Sequence, residues 1–234
     1  EYAVILKDTL GMENMIETHS AIMDKYDPEK KVSLVVDEWG AWYAPTPGTD
    51  PGFLMQQNTQ RDAVLAALNI NIFARHADRV RMANIAQMIN VLQAMILTDK
   101  EKMLLTPTYH VFEMYVPFQD ATFIPVKLDA GVYTYGDINL PRVDAIAAKG
   151  NDGKLYVSLT NVDPNKPVEI DTAFLGVKAK SVTGKTLAAP KMDSANTFDA
   201  PNTVAPKPVT VRLKDGKAVV QLAPASVTVL AITL

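Results

Sequence analysis

Two adjacent carboxylates follow a strand-like run early in the chain. Residues 32–36 read VSLVV, Asp37 and Glu38 come next, and both tryptophans of the sequence, Trp39 and Trp42, lie within four residues of Glu38. Folds of the α/β class place ligands at the carboxyl ends of buried parallel strands, where a carboxylate is held beside a cleft. Glycoside hydrolysis needs such acids, one to protonate the leaving oxygen and one to attack the sugar or activate water. Aromatic rings beside the acids suit the faces of a sugar.

A purely structural explanation has at least equal weight from the pattern alone. Strand-end acids are common, so Asp37 and Glu38 are equally compatible with the polar end of a strand whose aromatic neighbours pack in the core. Gln87 ends a second strand-like run, RVRMANIAQ (79–87), and in a parallel barrel it would share the rim that holds Glu38. Without outside information, Gln87 is better explained as a polar residue at a strand end. Residue types and spacing leave the choice open.

No other pattern in the sequence is typical of catalysis. His19, His76 and His110 are far apart and lack metal-ligand spacing, which favours helix-face or surface positions over metal binding. Neither phosphate-loop motif nor a Gly-x-Ser-x-Gly elbow occurs. The absence of cysteine excludes disulfides, Cys-based zinc sites and a thiol nucleophile. We therefore expect no metal or cofactor, and an α/β hydrolase of another type is the least favoured class.

The first half of the sequence predicts helices and strands in alternation. Apolar residues recur at spacings of three and four in 15–26 and 64–72, which indicates amphipathic helices. Thr106 followed by Pro107 is typical of a helix start, and Pro117 ends that helix. The runs 32–36 and 79–87 are flanked by these helices, which is the pattern of a buried parallel sheet.

The second half predicts an antiparallel β-sandwich. Its apolar segments are short, rich in β-branched residues and separated by turns such as Asn151-Asp152-Gly153 and Asp215-Gly216. The predicted strands are 121–128, 143–149, 154–161, 167–174, 208–213, 217–222 and 226–234, and 189–208 is a long loop of the sandwich. Net charge is −6 for residues 1–120 and +3 for residues 121–234. We expect two domains, 1–119 and 120–234.

Composition limits the kinds of partner. With 48% hydrophobic and 21% charged residues among 234, the chain resembles an ordinary globular protein. The net charge is −3 and no Lys/Arg-rich run occurs, so neither nucleic acid nor an anionic membrane is an expected partner. No apolar stretch approaches the roughly 20 residues that a membrane-spanning helix needs.

Four motifs in order resemble glycoside hydrolase family 51, the α-L-arabinofuranosidases. They are VVDEWGAWY (35–43), the segment 58–98 beginning NTQRDAVLAALN, TPTYHVFEMY (106–115) and ANTFDAPNTV (195–204). The resemblance covers essentially the whole chain. It implies the C-terminal part of a (β/α)8 TIM barrel followed by a jelly-roll β-sandwich, an α/β plus all-β architecture. It also implies a retaining glycosidase that removes terminal α-L-arabinofuranosyl groups from arabinan or arabinoxylan with two glutamates.

The resemblance separates the candidate residues. Glu38, at the end of the seventh barrel strand, corresponds to the nucleophile, and Asp37 to a neighbour without a catalytic role. Gln87, at the end of the eighth strand, corresponds to a glutamine that hydrogen-bonds the arabinofuranose ring substituents. Trp42 corresponds to an aromatic residue near the sugar and leaving-group subsites, and Trp39 to a structural residue.

One expected part of the family's active site is absent from these residues. The general acid/base glutamate, which follows an asparagine, has no counterpart here, since no Asn-Glu pair occurs in the sequence. The chain begins at Glu1 and enters helix-like sequence at once, so we expect that an N-terminal portion of the same enzyme precedes it and carries the acid/base. A homo-oligomer is possible on the resemblance, and the compartment stays open between secreted, periplasmic and cytoplasmic.

Two alternatives to this enzyme remain. The chain could be a non-catalytic fragment whose sandwich binds carbohydrate or a partner protein, which the missing acid/base favours. A same-family enzyme that cuts a β-1,4-linked backbone is a variant of the first hypothesis.

Overall fold

A computed structural model describes all residues, 1–234, as three α-helices, fifteen β-strands and two short 3-10 helices. The helices are α1 (Tyr2–Asp24), α2 (Gln60–Arg75) and α3 (Pro107–Tyr115), and the 3-10 helices are Pro51–Phe53 and Val116–Phe118. The strands before the sandwich are β1 (Leu34–Trp39), β2 (Val80–Ile85), β3 (Ile96–Asp99) and β4 (Lys102–Leu105). The remaining strands are β5 (Thr122–Ile124), β6 (Val132–Tyr135), β7 (Ile138–Pro141), β8 (Val143–Lys149), β9 (Leu155–Asn161), β10 (Val168–Thr172), β11 (Ser181–Leu187), β12 (Lys207–Pro208), β13 (Val211–Lys214), β14 (Lys217–Leu222) and β15 (Ser226–Thr233).

The predicted parallel pair is present. Strands β1 and β2 pair in parallel, with Val36 opposite Ala83 and Trp39 opposite Ile85. Helix α2 connects them as a crossover, and its first turn is fixed by a capping box in which the Asp62 carboxylate accepts the backbone N–H of Thr59 at 2.8 Å. Twelve of the sixteen residues of α2 are buried, so this helix is the centre of the first half.

The prediction that the run before the carboxylates is buried is wrong for this chain. Strand β1 begins at Leu34 and includes Asp37 and Glu38, so the acids lie within the strand and not after it. Val35 is 40% exposed and Met82, on the neighbouring strand, is 56% exposed. Leu34 and Val36 pack against the core that surrounds α2, while nothing in the chain covers the opposite face of the two-stranded sheet.

A hairpin and a helix follow β2. Strands β3 and β4 form an antiparallel hairpin that the sequence analysis did not predict. The predicted helix start is confirmed, since Thr106 is the N-cap of α3 and Pro107 its first residue. The Thr106 hydroxyl also donates to the carbonyl of Ala94 at 2.9 Å, which ties α3 to the turn before β3. Helix α3 ends at Tyr115, one residue before a 3-10 turn that contains Pro117.

The second half forms the expected antiparallel sandwich. One sheet has six strands in the order β12-β11-β15-β9-β8-β5, and the other has three in the order β10-β14-β13. Nine buried side chains fill the space between the sheets: Val143, Ala147, Val157, Leu159, Ile170, Val220, Leu222, Leu230 and Ile232. The hairpin of β6 and β7 lies outside both sheets. Strand β11 and this hairpin were not predicted.

The segment 189–208 is a loop, as expected, apart from the two residues of β12 at its end. It runs back to the first half of the chain, where the carbonyl of Ser194 accepts the backbone N–H of Gln60 at 2.9 Å. The buried Asn196 side chain donates to the carbonyl of Leu105 at 2.8 Å. The motif ANTFDAPNTV therefore belongs to the packing between the two halves.

The largest core joins residues from both sides of residue 120. Its 26 buried side chains run from Ala3 in α1 to Val229 in β15, and α2 lies between the six-stranded sheet and α1. The Gln60 amide, which is fully buried, donates to the carbonyls of Leu187 and Ala225 at 3.2 and 2.7 Å. No helix of the structure combines the length and apolar character needed to cross a membrane.

Candidate functional site

The structure places Glu38 and Gln87 at the same edge of the two-stranded parallel sheet. Glu38 is the fifth residue of β1, and Gln87 follows β2 by two residues. The backbone N–H of Ala86 donates to the carbonyl of Trp39 at 3.0 Å, so the chain segments that carry the two side chains are hydrogen-bonded to each other. Both side chains are exposed. The structure therefore brings a segment with an exposed carboxylate and a segment with an exposed amide to one end of the sheet.

The two tryptophans have different surroundings. Trp39 is 4% exposed and its ring lies between Phe73, at an edge-on centroid distance of 5.5 Å, and Phe112, stacked at 5.9 Å. Trp42 is 67% exposed. A buried ring stabilises the fold, whereas an exposed ring is free to contact a ligand.

The backbone turns away from β1 at Gly40, whose φ is +137°. A Cβ atom at this position would lie 2.7 Å from Cγ of Gln93, so a side chain is excluded by both the backbone conformation and the contact. Gln93 is fully buried and itself has a φ of +57°. The turn that follows Glu38 is therefore packed directly on a buried glutamine.

Asp62 organises the polar groups behind this turn. Its carboxylate is fully buried and accepts from the Gln93 amide at 3.2 Å and from the Arg61 guanidinium at 3.2 Å. The same guanidinium lies 3.7 Å from the centre of the Tyr43 ring. Burial, and then the charge of Asp62, raise the pKa of the Tyr43 hydroxyl, so this group stays neutral.

The loop 44–57 closes on itself. The backbone N–H of Thr46 donates to the carbonyl of Met55 at 2.7 Å, and the buried Gln56 amide donates to the carbonyl of Tyr43 at 2.8 Å. Phe53, near the end of the loop, is 68% exposed. These bonds hold the loop next to Trp42.

A second group of charged side chains joins α1, α2 and β8. The Arg75 guanidinium contacts Glu13 at 2.8 Å and Asp144 at 3.0 Å, and His76 also pairs with Glu13. Burial raises the pKa of Glu13, but the hydrogen bond and charge of Arg75 outweigh it, so the pKa is lower than usual. For Asp144 burial dominates, and its pKa is raised despite Arg75.

Donor atoms of Glu13, Glu17 and His76 lie within 4.8 Å of one another, a grouping that the sequence analysis did not find because His76 is remote in sequence. Arg75 already neutralises Glu13 and would repel a cation. A crevice of about 370 Å³ borders this group and is lined by Glu13, Arg75, Asp129 and Asp144, among others. Neither Glu38 nor Gln87 lines it.

Gln93 and Asp62 are the site-supporting residues that sequence reasoning missed. Asp62 had a readable signal, since Thr59 and Asp62 have the spacing of a capping box. Gln93 had none, because it lies inside the apolar run 89–97, where its burial and its contact with Gly40 depend on the tertiary structure.

Comparison with known proteins gives the family of the chain. A family model described as "Alpha-L-arabinofuranosidase C-terminal domain" matches residues 37–226. The chain is 43% identical over 232 residues to an intracellular exo-α-L-arabinofuranosidase of Bacteroides ovatus, covering 98% of this chain and 45% of the relative. It is 25% identical to an intracellular exo-α-(1→5)-L-arabinofuranosidase of Streptomyces lividans, covering 92% of this chain and 34% of that protein.

A solved structure agrees with these relatives. The crystal structure of the GH51 arabinofuranosidase from Xanthomonas axonopodis pv. citri superposes with a TM-score of 0.97 at 51% identity, covering 99% of this chain and 47% of that one. The chain thus spans about half the length, or less, of the relatives it matches. Because the match extends over nearly all of its residues, this chain belongs to the GH51 α-L-arabinofuranosidase family.

Proposed function

We propose that this chain is part of a retaining glycosidase that releases terminal non-reducing α-L-arabinofuranosyl residues from arabinan- or arabinoxylan-type saccharides. The observation that carries the proposal is the position of Glu38 near the end of a parallel strand. The next residue, Trp39, is hydrogen-bonded through its carbonyl to Ala86, which precedes Gln87. The names of the Bacteroides and Streptomyces relatives support the choice of sugar.

In this proposal Glu38 is the nucleophile. Its carboxylate attacks the anomeric carbon, the bond to the leaving oxygen breaks, and a second carboxyl group protonates that oxygen. Water, deprotonated by the same second group, then attacks the anomeric carbon and releases Glu38, so that configuration is retained overall. Gln87 hydrogen-bonds the sugar hydroxyl groups, and Trp42 packs on the sugar or on the leaving group.

The second carboxyl group would belong to an N-terminal portion of the protein. Retention requires two carboxyl groups about 5–5.5 Å apart. We infer that β1 and β2 are the last two strands of a (β/α)8 barrel and that the N-terminal portion supplies the other strands. The exposed apolar side chains Val35 and Met82 on the sheet, and Val4, Met15 and Ile22 on α1, are the surface that this portion would cover.

Replacement of Glu38 by Ala in the full-length protein tests the nucleophile. We expect turnover of an aryl α-L-arabinofuranoside to fall on the order of a thousandfold or more, because no covalent intermediate can form. Azide should restore cleavage and give the glycosyl azide of inverted configuration. The matched control is Asp37→Asn, which removes the adjacent exposed carboxylate and should leave most activity. Near-normal turnover by Glu38→Ala would refute the proposal.

Two further measurements address the alternatives. A panel of aryl glycosides separates an arabinofuranosidase from an enzyme that cuts a β-1,4-linked backbone. Residues 1–234 expressed alone should be inactive and should associate through the exposed apolar surface. A monodisperse fragment that unfolds cooperatively and binds arabino-oligosaccharides would instead support a non-catalytic binding module.

A further inference from the structure

Gln93, which lies outside the parallel sheet, packs against Gly40 in the turn that follows the candidate nucleophile. Gly40 is two residues after Glu38, and its Cα lies so close to Gln93 that a Cβ atom would be 2.7 Å from Cγ and 3.3 Å from Cβ of that side chain. Glu38 itself is exposed. The position of its carboxylate therefore depends on the backbone of β1 and of the turn at Gly40.

Gln93 is fixed from its other end. Its side chain is fully buried, and its amide donates to Oδ1 of Asp62 at 3.2 Å. Asp62 is fully buried too, and its Oδ2 accepts the backbone N–H of Thr59 at 2.8 Å at the start of α2. The backbone of Gln93 is held in a turn in which the N–H of Ala94 donates to the carbonyl of Val91 at 2.9 Å. The N-terminus of α2 and the turn 91–94 thus hold the Gln93 side chain in place.

We propose that Gln93 is a positioning residue, which transmits the rigidity of the α2 N-terminus through Asp62 to the turn at Gly40 and so fixes the Glu38 carboxylate. This inference rests on the proposed function of Glu38. Because the Gln93 side chain is fully buried, it does not contact substrate and acts only through the backbone that it supports. A displacement of a reacting group by about 1 Å costs up to a hundredfold in rate, so a brace of this kind affects catalysis.

The test is Gln93→Ala in the full-length protein, measured as kcat per active site. Active sites are counted by the burst of aglycone released from an activated aryl α-L-arabinofuranoside, so that unfolded molecules do not enter the rate. We expect kcat per active site to fall on the order of tenfold to a hundredfold, with KM changed much less, because the loosened group is the nucleophile and not the sugar-binding side chains.

A variant that keeps the contact with Gly40 should restore part of the rate. Gln93→Met keeps the length and the contact but loses the bond to Asp62, so kcat per active site should lie between that of Gln93→Ala and that of the wild type. The matched control is Asn161→Ala, which removes a fully buried amide side chain of β9, one whose bonds to the carbonyls of Lys166 and Ala223 lie within the sandwich. It should lower the unfolding temperature and leave kcat per active site unchanged.

Three results would overturn the inference. They are an unchanged kcat per active site in Gln93→Ala, an equal loss in Asn161→Ala, and no recovery in Gln93→Met. If Gln93→Ala does not accumulate as folded protein, Gln93→Met carries the test, and a kcat per active site equal to that of the wild type would then overturn the inference. The Glu38→Ala variant distinguishes failure of the proposed function from failure of the positioning role. If Glu38→Ala retains activity, the proposed function is wrong. If Glu38→Ala is inactive while Gln93→Ala has normal activity, only the positioning role is wrong.

Discussion

Trp42 is a candidate ligand contact that the structure leaves open to solvent. Its side chain is 67% exposed, and it follows the sharply turned Gly40 by two residues. An exposed aromatic ring contributes little to folding, so its removal should act mainly on binding. We therefore expect Trp42→Ala to raise KM for an arabino-oligosaccharide roughly three- to tenfold, a loss of about 1 kcal/mol of stacking, with the unfolding temperature unchanged.

The neighbouring loop offers a matched control for Trp42. Phe53 is also exposed and lies on the loop 44–57, which follows Trp42 in sequence, but it was not assigned to the site. Steady-state kinetics of Phe53→Ala should match the wild type, and Trp42→Phe should recover most of the affinity lost in Trp42→Ala. Equal effects of Trp42→Ala and Phe53→Ala would show that loop order, and not stacking by Trp42, determines KM.

The sequence was more informative about the exposed site residues than about the buried ones. Glu38 and Gln87 were readable because each ends a run with strand composition, and strand ends share an edge in a parallel sheet. Gln93 was not readable, since a polar residue in an apolar run shows its role only when its buried contacts are known. The roles of Glu38, Gln87 and Trp42 remain predictions that rest on the family resemblance.

Helices α1 and α2 are joined by an ion pair whose strength depends on pH. Arg75 binds Glu13, whose pKa is held below its usual value by this contact. A carboxyl group with a lowered pKa in the folded state stabilises the fold above its unfolded pKa of about 4.3, and this contribution is lost as the pH falls through the folded value. The contact should therefore stabilise the protein at neutral pH and not in acid.

Glu13→Gln tests this dependence. At pH 7 the variant should be less stable than the wild type by about 1 kcal/mol, and the difference should shrink as the pH is lowered below about 4. Urea unfolding of the full-length protein over a pH series measures it. Asp8→Asn removes an exposed carboxylate of α1 and should follow the wild type throughout. A difference that is constant with pH would contradict the ion-pair explanation.

Elements were predictable where composition and turns agreed. The predicted strands 143–149 and 217–222 match β8 and β14 in both bounds, because each is next to a clear turn, Asn151-Asp152-Gly153 after β8 and Asp215-Gly216 before β14. Strand β11, SVTGKTL, was missed because a central glycine and alternating polar residues weaken its pattern. Its pairing with β15 over seven residues supplies the order that its own composition does not.

At the scale of the whole molecule, Gln60 links the helical part to the sandwich. Its amide donates to two carbonyl groups of the second half, and loss of the side chain would leave these buried acceptors with fewer partners. We expect Gln60→Ala to lower the free energy of unfolding by about 1–3 kcal/mol. Differential scanning calorimetry should also show whether the two parts, which share a core, still unfold together.

Gln57→Ala is the control for this prediction, because Gln57 is exposed and lies three residues away. Its unfolding temperature should equal that of the wild type. If Gln60→Ala has no effect on stability, the hydrogen bonds of Gln60 do not join the two parts, and packing of the apolar side chains alone would hold them together.

The overall architecture was predictable in kind but not in its contacts. Alternating helices and strands followed by β-rich sequence indicated a parallel pair and a sandwich, and both are present. Burial of β1 was predicted wrongly, because periodicity reports which side chains are apolar and not whether a second layer covers them. The division into domains 1–119 and 120–234 remains a prediction. The largest core contains residues from both sides of residue 120.

That shared core has a consequence for synthesis on the ribosome. The Tyr2 hydroxyl donates to the carbonyl of Val162 at 2.8 Å, and the core that contains Ala3 also contains Val227 and Val229. Helix α1 is therefore made long before its packing partners leave the exit tunnel. Contacts so distant in sequence slow folding and leave apolar surface exposed in the meantime. Nascent chains paused before residue 227 should consequently bind chaperones, and release should coincide with the appearance of β15.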